Sequence, residues 1–408
     1  MNPWYLIGWF IALGPIYWFG PLGYNEMTII KTFLLLAFFL TLTVIFIARR
    51  EKITFPSPFG FHAFLLLLTL LIISGLKSSS IQDVFSELFK YILPFIVMWL
   101  VYNASFYYDD FEVISSKILL LIPFVSILII TSSFFKFPNW TSPFYDPDLA
   151  FLTLDFTGFG STRTAWSNGM ALAYPLLIIG GYSFFHKKKI FLCLVISLMF
   201  LSVFLPGGRG GIISILITTF FALRLYIPNK SLSTLMTSIF TLVVIIGIFT
   251  IGADSRALRK LPSDNDLNSL SSGRLDGYLI GFDIIKDNLL VGLGINNVNL
   301  KNYGESVESI HNFWISSAAE YGIFFPLILA CLFLKVIFHY HRKRNYLKNE
   351  YKANFYVIIA GIFMSNLEPS GFIGAFQQQA IFWACLGRLI YLMKYRTSCS
   401  KDNIKPMQ

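Results

Sequence analysis

Stretches of about twenty residues with almost no charge recur along this chain. A bilayer's hydrocarbon core is about 30 Å thick, and a helix rising 1.5 Å per residue needs about 20 apolar residues to cross it. Hydrophobic residues make up 55% of the 408, and charged residues only 13%, about half the roughly 25% usual in soluble domains. That balance excludes a soluble globular enzyme, a disordered chain and a disulfide-stapled secreted module. The expected fold is all-α, a polytopic membrane protein of about 12 transmembrane helices at approximately 4–20, 28–48, 59–76, 88–103, 115–134, 166–185, 190–206, 211–226, 234–252, 316–338, 353–368 and 377–394. The first run has neither a basic N-region nor a small-residue cleavage site, so it is read as a retained helix rather than a signal peptide.

The net charge of +10 does not point to nucleic acid, because the basic residues form short clusters beside apolar runs, the positive-inside pattern. Alternate connections carry Arg49, Arg50 and Lys52, then Lys187, Lys188 and Lys189, then Arg342, Lys343, Arg344 and Lys348, and the tail adds Lys394, Arg396, Lys401 and Lys405. These are assigned to the cytoplasm, which puts both termini there. Residues 1–252 then hold spans one to nine, 253–315 a long outer loop, 316–394 spans ten to twelve, and 395–408 a cytoplasmic tail. The cysteines, Cys193, Cys331, Cys385 and Cys399, avoid the outer loops and show neither disulfide-framework nor metal-type spacing.

The loop at 253–315 departs from this pattern, with Arg256, Arg259, Lys260, Arg274, Lys286 and Lys301 on the outer side. From Arg274 onward, Leu275, Tyr278, Leu279, Phe282 and Ile285 recur at helical spacing, with Ser271 and Ser272 as candidate N-caps. A short amphipathic helix at the outer membrane–water interface is expected. Leu289–Leu293 and Gly294 then form a glycine-bearing turn.

Four outer basic groups are candidates for chemistry: Arg163 before span six, Arg209 in Gly-Gly-Arg-Gly-Gly between spans seven and eight, Arg274 at the head of the amphipathic helix, and His311 in His-Asn-Phe-Trp at the mouth of span ten. The arginine fork donates two parallel hydrogen bonds to a phosphate. Glycines around Arg209, Gly210 among them, let backbone amides approach an anion. A helix N-terminus at Arg274 favours one too. Several such groups at one membrane face suit a polyprenyl pyrophosphate, its tail in lipid and its headgroup at the interface. Taken singly, each has a plainer reading. A lone outer arginine commonly snorkels to lipid headgroups, the glycines permit a tight hairpin, and a histidine at a helix start is commonly structural. Asp264 and Asp266 have metal-type spacing, but such pairs are common in solvated loops, so no metal and no cofactor are expected.

The linked string changes that weighing. Ser-Gly-Arg274-Leu, a helix, Lys-Asp-Asn288-Leu-Leu-Val-Gly-Leu-Gly294, then His311-Asn312, nine residues and Gly322, with Glu320 in Glu-Tyr-Gly, resembles the O-antigen ligase and polymerase superfamily. Arg209-Gly210 after span seven and the long late loop extend the resemblance, which is strong over about residues 207–325. The family's Asn-Pro is Asn288-Leu289 here, Phe325 stands where ligases often have Gly, Thr or Val, and a ligase Arg-x-x-x-Leu pattern is Arg209 to Ile213.

The resemblance implies an inverting, metal-independent glycosyltransferase on the periplasmic face of a bacterial inner membrane, with an undecaprenyl-pyrophosphate-linked glycan as donor. His311 would be the general base on the acceptor hydroxyl. Arg209 and Arg274, with Arg163, would hold the pyrophosphate and stabilise leaving-group charge. Asn312, Glu320, Gly322 and Gly210 would support them, Glu320 orienting His311 if the chain bends between the two. A repeat-unit polymerase takes another lipid-linked glycan as acceptor, and a ligase takes lipid A–core. The Gly160–Trp166 stretch resembles a polymerase feature and favours that reading. A chain-length regulator and membrane lipids are further expected partners. The rival from another class is a polysaccharide flippase, but carriers concentrate polar residues near the bilayer midplane, whereas here they gather at one face.

Overall fold

The structure is a computed structural model that describes residues 2–17, 22, 24–49, 54–57, 59–78, 80–125, 163–204, 209–227, 229, 231–236, 238–239, 242, 274–298, 300, 310–366, 372 and 376–396. Residues 126–162, which end just before Arg163, the stretch 253–273 with Asp264, Asp266, Ser271 and Ser272, and the tail from 397 lie outside them. So do the side chains of Arg163, Arg209 and Arg274, whose backbones are described.

The described residues are mostly helical, with no strand among them. In chain order the helices are α1 (Trp4–Leu13), α2 (Tyr24–Arg49), α3 (Phe61–Gly75), α4 (Ile81–Ala104), α5 (Phe111–Leu119), α6 (Arg163–Ile178), α7 (Lys189–Phe204), α8 (Arg209–Tyr226), α9 (Arg274–Asp287), α10 (Phe313–Tyr321), α11 (Phe324–Lys343), α12 (Lys352–Met364) and α13 (Phe376–Tyr391). Among the described residues, three stretches are long and apolar enough to cross a membrane, Tyr24–Ala48, Ile81–Ala104 and Phe324–Tyr346. Shorter apolar helices include Trp4–Leu13, Phe61–Gly75, Lys189–Val203, Gly210–Tyr226 and Lys352–Met364. The expected spans at 115–134 and 234–252 run beyond the described residues.

The outward face of α2 is that of a membrane helix. Ile29, Phe33, Leu36, Leu40, Val44 and Ile47 follow one stripe, each more than half exposed. A soluble protein would set polar residues there.

Several boundaries differ from the sequence reading. The helix from Trp4 ends at Leu13 rather than near 20, and the span read at 166–185 is Arg163–Ile178 followed by a short helix at Tyr182–Phe185. α4 begins at Ile81 rather than near 88, because Lys90 Nζ donates to Glu87 Oε2 at 2.6 Å, and an i,i+3 ion pair keeps both charges within the helix. The span read at 316–338 is two helices. Gly322, at φ +85°, ends α10 and the long apolar helix starts at Phe324.

The chain forms two compact units. The first comprises Met1–Lys52, Ala104–Lys260 and Lys348–Ala360. In it, α6 and α8 run parallel: Gly211 lies against Ser167, Tyr174 Oη meets Thr219 Oγ1 at 2.8 Å, and Tyr226 Oη donates to Ile178 O at 2.6 Å. A Cβ on Gly211 would stand 2.7 Å from Ser167 O, so glycine allows the close approach. α7 runs antiparallel to α6, with Trp166 Nε1 donating to Ser202 O at 2.8 Å. The buried carboxyl of Glu112 accepts from Asn354 Nδ2 at 2.7 Å. Asp109 and Asp110 also have donors, Tyr351 Oη at 2.8 Å and Asn2 Nδ2 at 3.0 Å.

The second unit comprises Ile53–Asn103, Leu261–Leu347 and Gly361–Gln408. Its core is aromatic: Phe59, Phe95, Phe333, Phe372, Phe382 and Trp383 pack with centroids 4.7 to 6.4 Å apart, the separation such rings prefer. α4 and α13 meet at Gly387, where a Cβ would collide with the Met98 carbonyl. Gly387→Ala is expected to cost about 1–3 kcal/mol, read as a lower thermal midpoint of the detergent-solubilised protein. An unchanged midpoint would mean that the helices do not meet there.

Candidate functional site

Helix α9 runs from Arg274 to Asp287, as its periodicity predicts, but its apolar residues divide between two faces. Ile284 and Ile285 are buried with Leu300, Ile310, Ala318 and Ala319 in a small core against α10. Gly281 allows that contact, since a Cβ there would stand 2.6 Å from Ile315 Cγ2. Leu275, Leu279 and Phe282 are exposed on another face.

Helix α10 accounts for the spacing of the His-Asn motif. Its nine residues, Phe313–Tyr321, are the nine between Asn312 and Gly322. Asn312 is the N-cap, and its Oδ1 accepts from Trp314 N at 2.9 Å and Ile315 N at 3.1 Å. Phe313 N donates to Ser365 O at 2.8 Å and Asn312 N to Ile310 O at 2.9 Å. The four N–H groups that a helix start leaves open are thus all engaged, so this terminus offers no vacant donors to an anion. Asn312 Nδ2 also donates to Asn366 O at 3.2 Å, which ties the cap to the end of α12.

His311 stands half-buried just ahead of this cap. Its carbonyl accepts from Tyr278 Oη at 2.9 Å. Tyr278 lies one turn after Arg274 on α9, so the two share a helix face. The sequence reading placed Tyr278 only among the apolar residues. Its spacing of four from Arg274 was the available signal for a role beside the histidine. Below the cap, Phe313 and Trp314 pack on Phe372 with centroids at 4.6 and 5.6 Å.

Glycines close the other end of α10. Leu293 N donates to Ala319 O at 2.7 Å and Gly294 N to Glu320 O at 3.1 Å, while Ile323 N donates to Leu289 O at 2.9 Å. Gly292 and Gly294 have φ of +72° and +108°, a region only glycine occupies freely. A Cβ on Gly322 would strike the Leu290 carbonyl. The α3–α4 turn braces this turn from outside, through Ser74 Oγ to Glu320 O at 2.6 Å and Lys77 Nζ to Gly292 O at 3.0 Å. The motif glycines therefore hold a backbone interlock.

Glu320 sits about 12 Å along the helix from the cap, at 1.5 Å per residue. The unbroken α10 supplies no bend that would bring it back to His311. Its neighbours are Glu87, Lys90 and Tyr321, and Tyr321 Oη donates to Glu87 Oε1 at 2.8 Å. Desolvation, and next the charge of Glu87, push the Glu320 carboxyl up to about 7, against smaller opposing effects of Tyr321 and Lys90. Burial likewise raises the Tyr321 phenol well above its ordinary value.

Arg274, His311, Asn312, Glu320 and Gly322 all belong to the second unit, and Arg163, Arg209 and Gly210 to the first. In the first unit, Arg163 and Arg209 open α6 and α8. Because those helices are parallel and in contact near their starts, both residues lie at the same end of the pair.

Residues 194–330, about a third of the chain, match the family described as O-antigen ligase. The matched region takes in Arg209, Gly210, Arg274, His311, Asn312, Glu320 and Gly322, in agreement with the resemblance seen in the motifs. No curated protein matches the chain.

Asn312→Ala is expected to destabilise the protein by about 1 kcal/mol, with Asn312→Asp intermediate, because it keeps the capping oxygen but loses the Nδ2 donor to Asn366 O. Thermal melts of the three proteins compare them. Glu320 adds a pH dependence. An unfolded chain releases this proton near 4.5 and the folded one near 7, so the Glu320 contribution to stability falls as pH rises through that interval. Glu320→Gln leaves the backbone bonds intact and should show a smaller drop in melting temperature between pH 5 and pH 8 than the parent. An equal drop would place the titration elsewhere.

Proposed function

We propose that the chain is a glycosyltransferase of surface polysaccharide assembly, acting at the periplasmic face of a bacterial inner membrane. It moves a glycan from undecaprenyl pyrophosphate to a sugar hydroxyl without a metal ion, inverting the anomeric centre by direct displacement. The observation that carries this reading is the match over residues 194–330, which spans Arg209, Arg274 and His311 together. Family and chemistry agree: no nucleotide sugar is present at that face, so a donor there must be lipid-linked, and arginines are suited to its pyrophosphate.

In this reading His311 takes the proton of the acceptor hydroxyl as the new glycosidic bond forms and the bond to pyrophosphate breaks. Arg209 and Arg274, with Arg163, hold the pyrophosphate and balance the charge that develops on it. Asn312 is a positioning residue: it caps α10 and so fixes the backbone from which His311 projects. Tyr278 joins it by holding the His311 carbonyl from the helix that Arg274 opens. Glu320 and Gly322 support the site through the far end of α10.

The acceptor is assigned as another lipid-linked repeat unit, which makes the chain a repeat-unit polymerase with a chain-length regulator as a natural partner. The Gly160–Trp166 stretch and Phe325 favour it. The second reading is a ligase with lipid A–core as acceptor, favoured by the description of the matched family.

The surface glycan of a deletion strain, run by gel beside the parent, tests both. Core capped by a single repeat identifies the polymerase. Uncapped core, with long chains accumulating on undecaprenyl pyrophosphate, identifies the ligase. An unchanged profile in a strain with no redundant homologue overturns both. Arg274→Ala should behave as the deletion, and His311→Ala should lower transfer by about 100-fold or more. Full transfer by a correctly inserted His311→Ala protein would remove His311 as the base.

A further inference from the structure

The basic end of α11, just beyond the residues that match the family, carries two adjoining cavities. One, of 510 Å³, is lined by Cys331, Leu334, Lys335, Phe338, His339 and Arg342. The other, of 250 Å³, shares Lys335 and His339 and adds Lys343 and Lys394 among its polar groups, with Val336, Ile390 and Met393 as apolar wall. All of these residues belong to the second unit. Neither lining contains a carboxylate among the described residues. Lys335, His339, Arg342 and Lys343 follow one another at i, i+4, i+7 and i+8, along one side of the helix. Lys335, Arg342 and Lys343 on this side, with Lys394 in the smaller cavity, give the site a positive field that suits an anion.

The apolar part of the site has a matching form. Leu327, Cys331, Leu334 and Phe338 make an exposed stripe down α11 that ends at the basic cluster. A soluble anion has no use for that stripe, whereas an acyl chain lies along it with its phosphate at the end. Basic pockets beside membrane helices on the positive side are suited to anionic lipid headgroups. Two cavities on either side of a shared Lys335–His339 pair would accept two phosphates.

We propose that this end of α11 is a binding site for an anionic phospholipid with two phosphates, of the diphosphatidylglycerol type. One phosphate lies among Lys335, His339 and Arg342, the other among Lys335, His339, Lys343 and Lys394, and the acyl chains run along Leu334 and Phe338. Lys343 has a second duty: its Nζ donates to Met393 O at 2.6 Å and so fixes the wall of the smaller cavity.

The unaltered protein supplies a probe, because Cys331 lines the larger cavity and Cys193, in the other unit, is also exposed. Purified full-length protein in detergent is labelled with a maleimide, and each cysteine is followed by mass spectrometry. Cardiolipin at low micromolar concentration should slow labelling of Cys331 at least fivefold and leave Cys193 unchanged. Phosphatidylethanolamine and inorganic phosphate should slow labelling at neither cysteine. Protection by inorganic phosphate alone, or equal slowing at both cysteines, overturns the lipid site, and equal protection by phosphatidylglycerol overturns the two-phosphate assignment. Native mass spectrometry of the Lys335→Gln/Arg342→Gln protein should show at least fivefold less retained cardiolipin. Lys187→Gln/Lys189→Gln, which removes the same charge elsewhere, should retain it. Equal loss from both variants would reduce the effect to general surface charge and overturn the proposal.

Discussion

The second unit is organised around one constraint, the need of α10 to satisfy its ends. A nine-residue helix has few internal hydrogen bonds for the number of groups that its ends leave open. Asn312 and the Ser365 carbonyl occupy the first turn, and the amides of Leu293 and Gly294 take the carbonyls of Ala319 and Glu320 at the last. The glycine turn is shaped for that contact, and Gly322 gives the Leu290 carbonyl room. Because both ends are held, the histidine ahead of the helix has a defined position.

That interlock also explains why residues distant in sequence share the motif region. Ser74 and Lys77 reach the glycine turn from the α3–α4 connection, and Glu87, Lys90 and Tyr321 form a polar group beside it. Ionisable residues this close to a membrane helix are expected to be mutually engaged, and these are. The first unit keeps polar groups inside by the same rule, with Glu112 bonded to Asn354 and Tyr174 to Thr219.

Much of this was legible in residue order. Helix α9 follows from its apolar period and the turn from its glycines, whereas the capping role of Asn312, a motif residue in the sequence, comes from the structure. Misread features share a cause, since local pattern does not say which neighbour a residue meets. Tyr278 counts as apolar by period, yet its hydroxyl serves the His311 carbonyl. Glu87 and Lys90 look like the end of a span, yet as a pair they lie within one. Glu320 invites association with His311 by proximity in sequence, yet a straight helix separates them.

The sequence by itself determined the class of fold and the chemistry offered. Long uncharged runs require membrane helices, because backbone polar groups in hydrocarbon must be satisfied within the segment. Arginines with a histidine at the motif positions offer cationic hydrogen-bond donors and a titratable base. Only the tertiary structure decided which of these groups are held and by what. It made the nine-residue spacing a helix capped at both ends, set α6 and α8 parallel so that Arg163 and Arg209 open the same end, and gathered cations around two cavities at the end of α11. Those outcomes depend on contacts between residues tens to hundreds of positions apart, where packing and the demand for hydrogen-bond partners, rather than local propensity, select the arrangement.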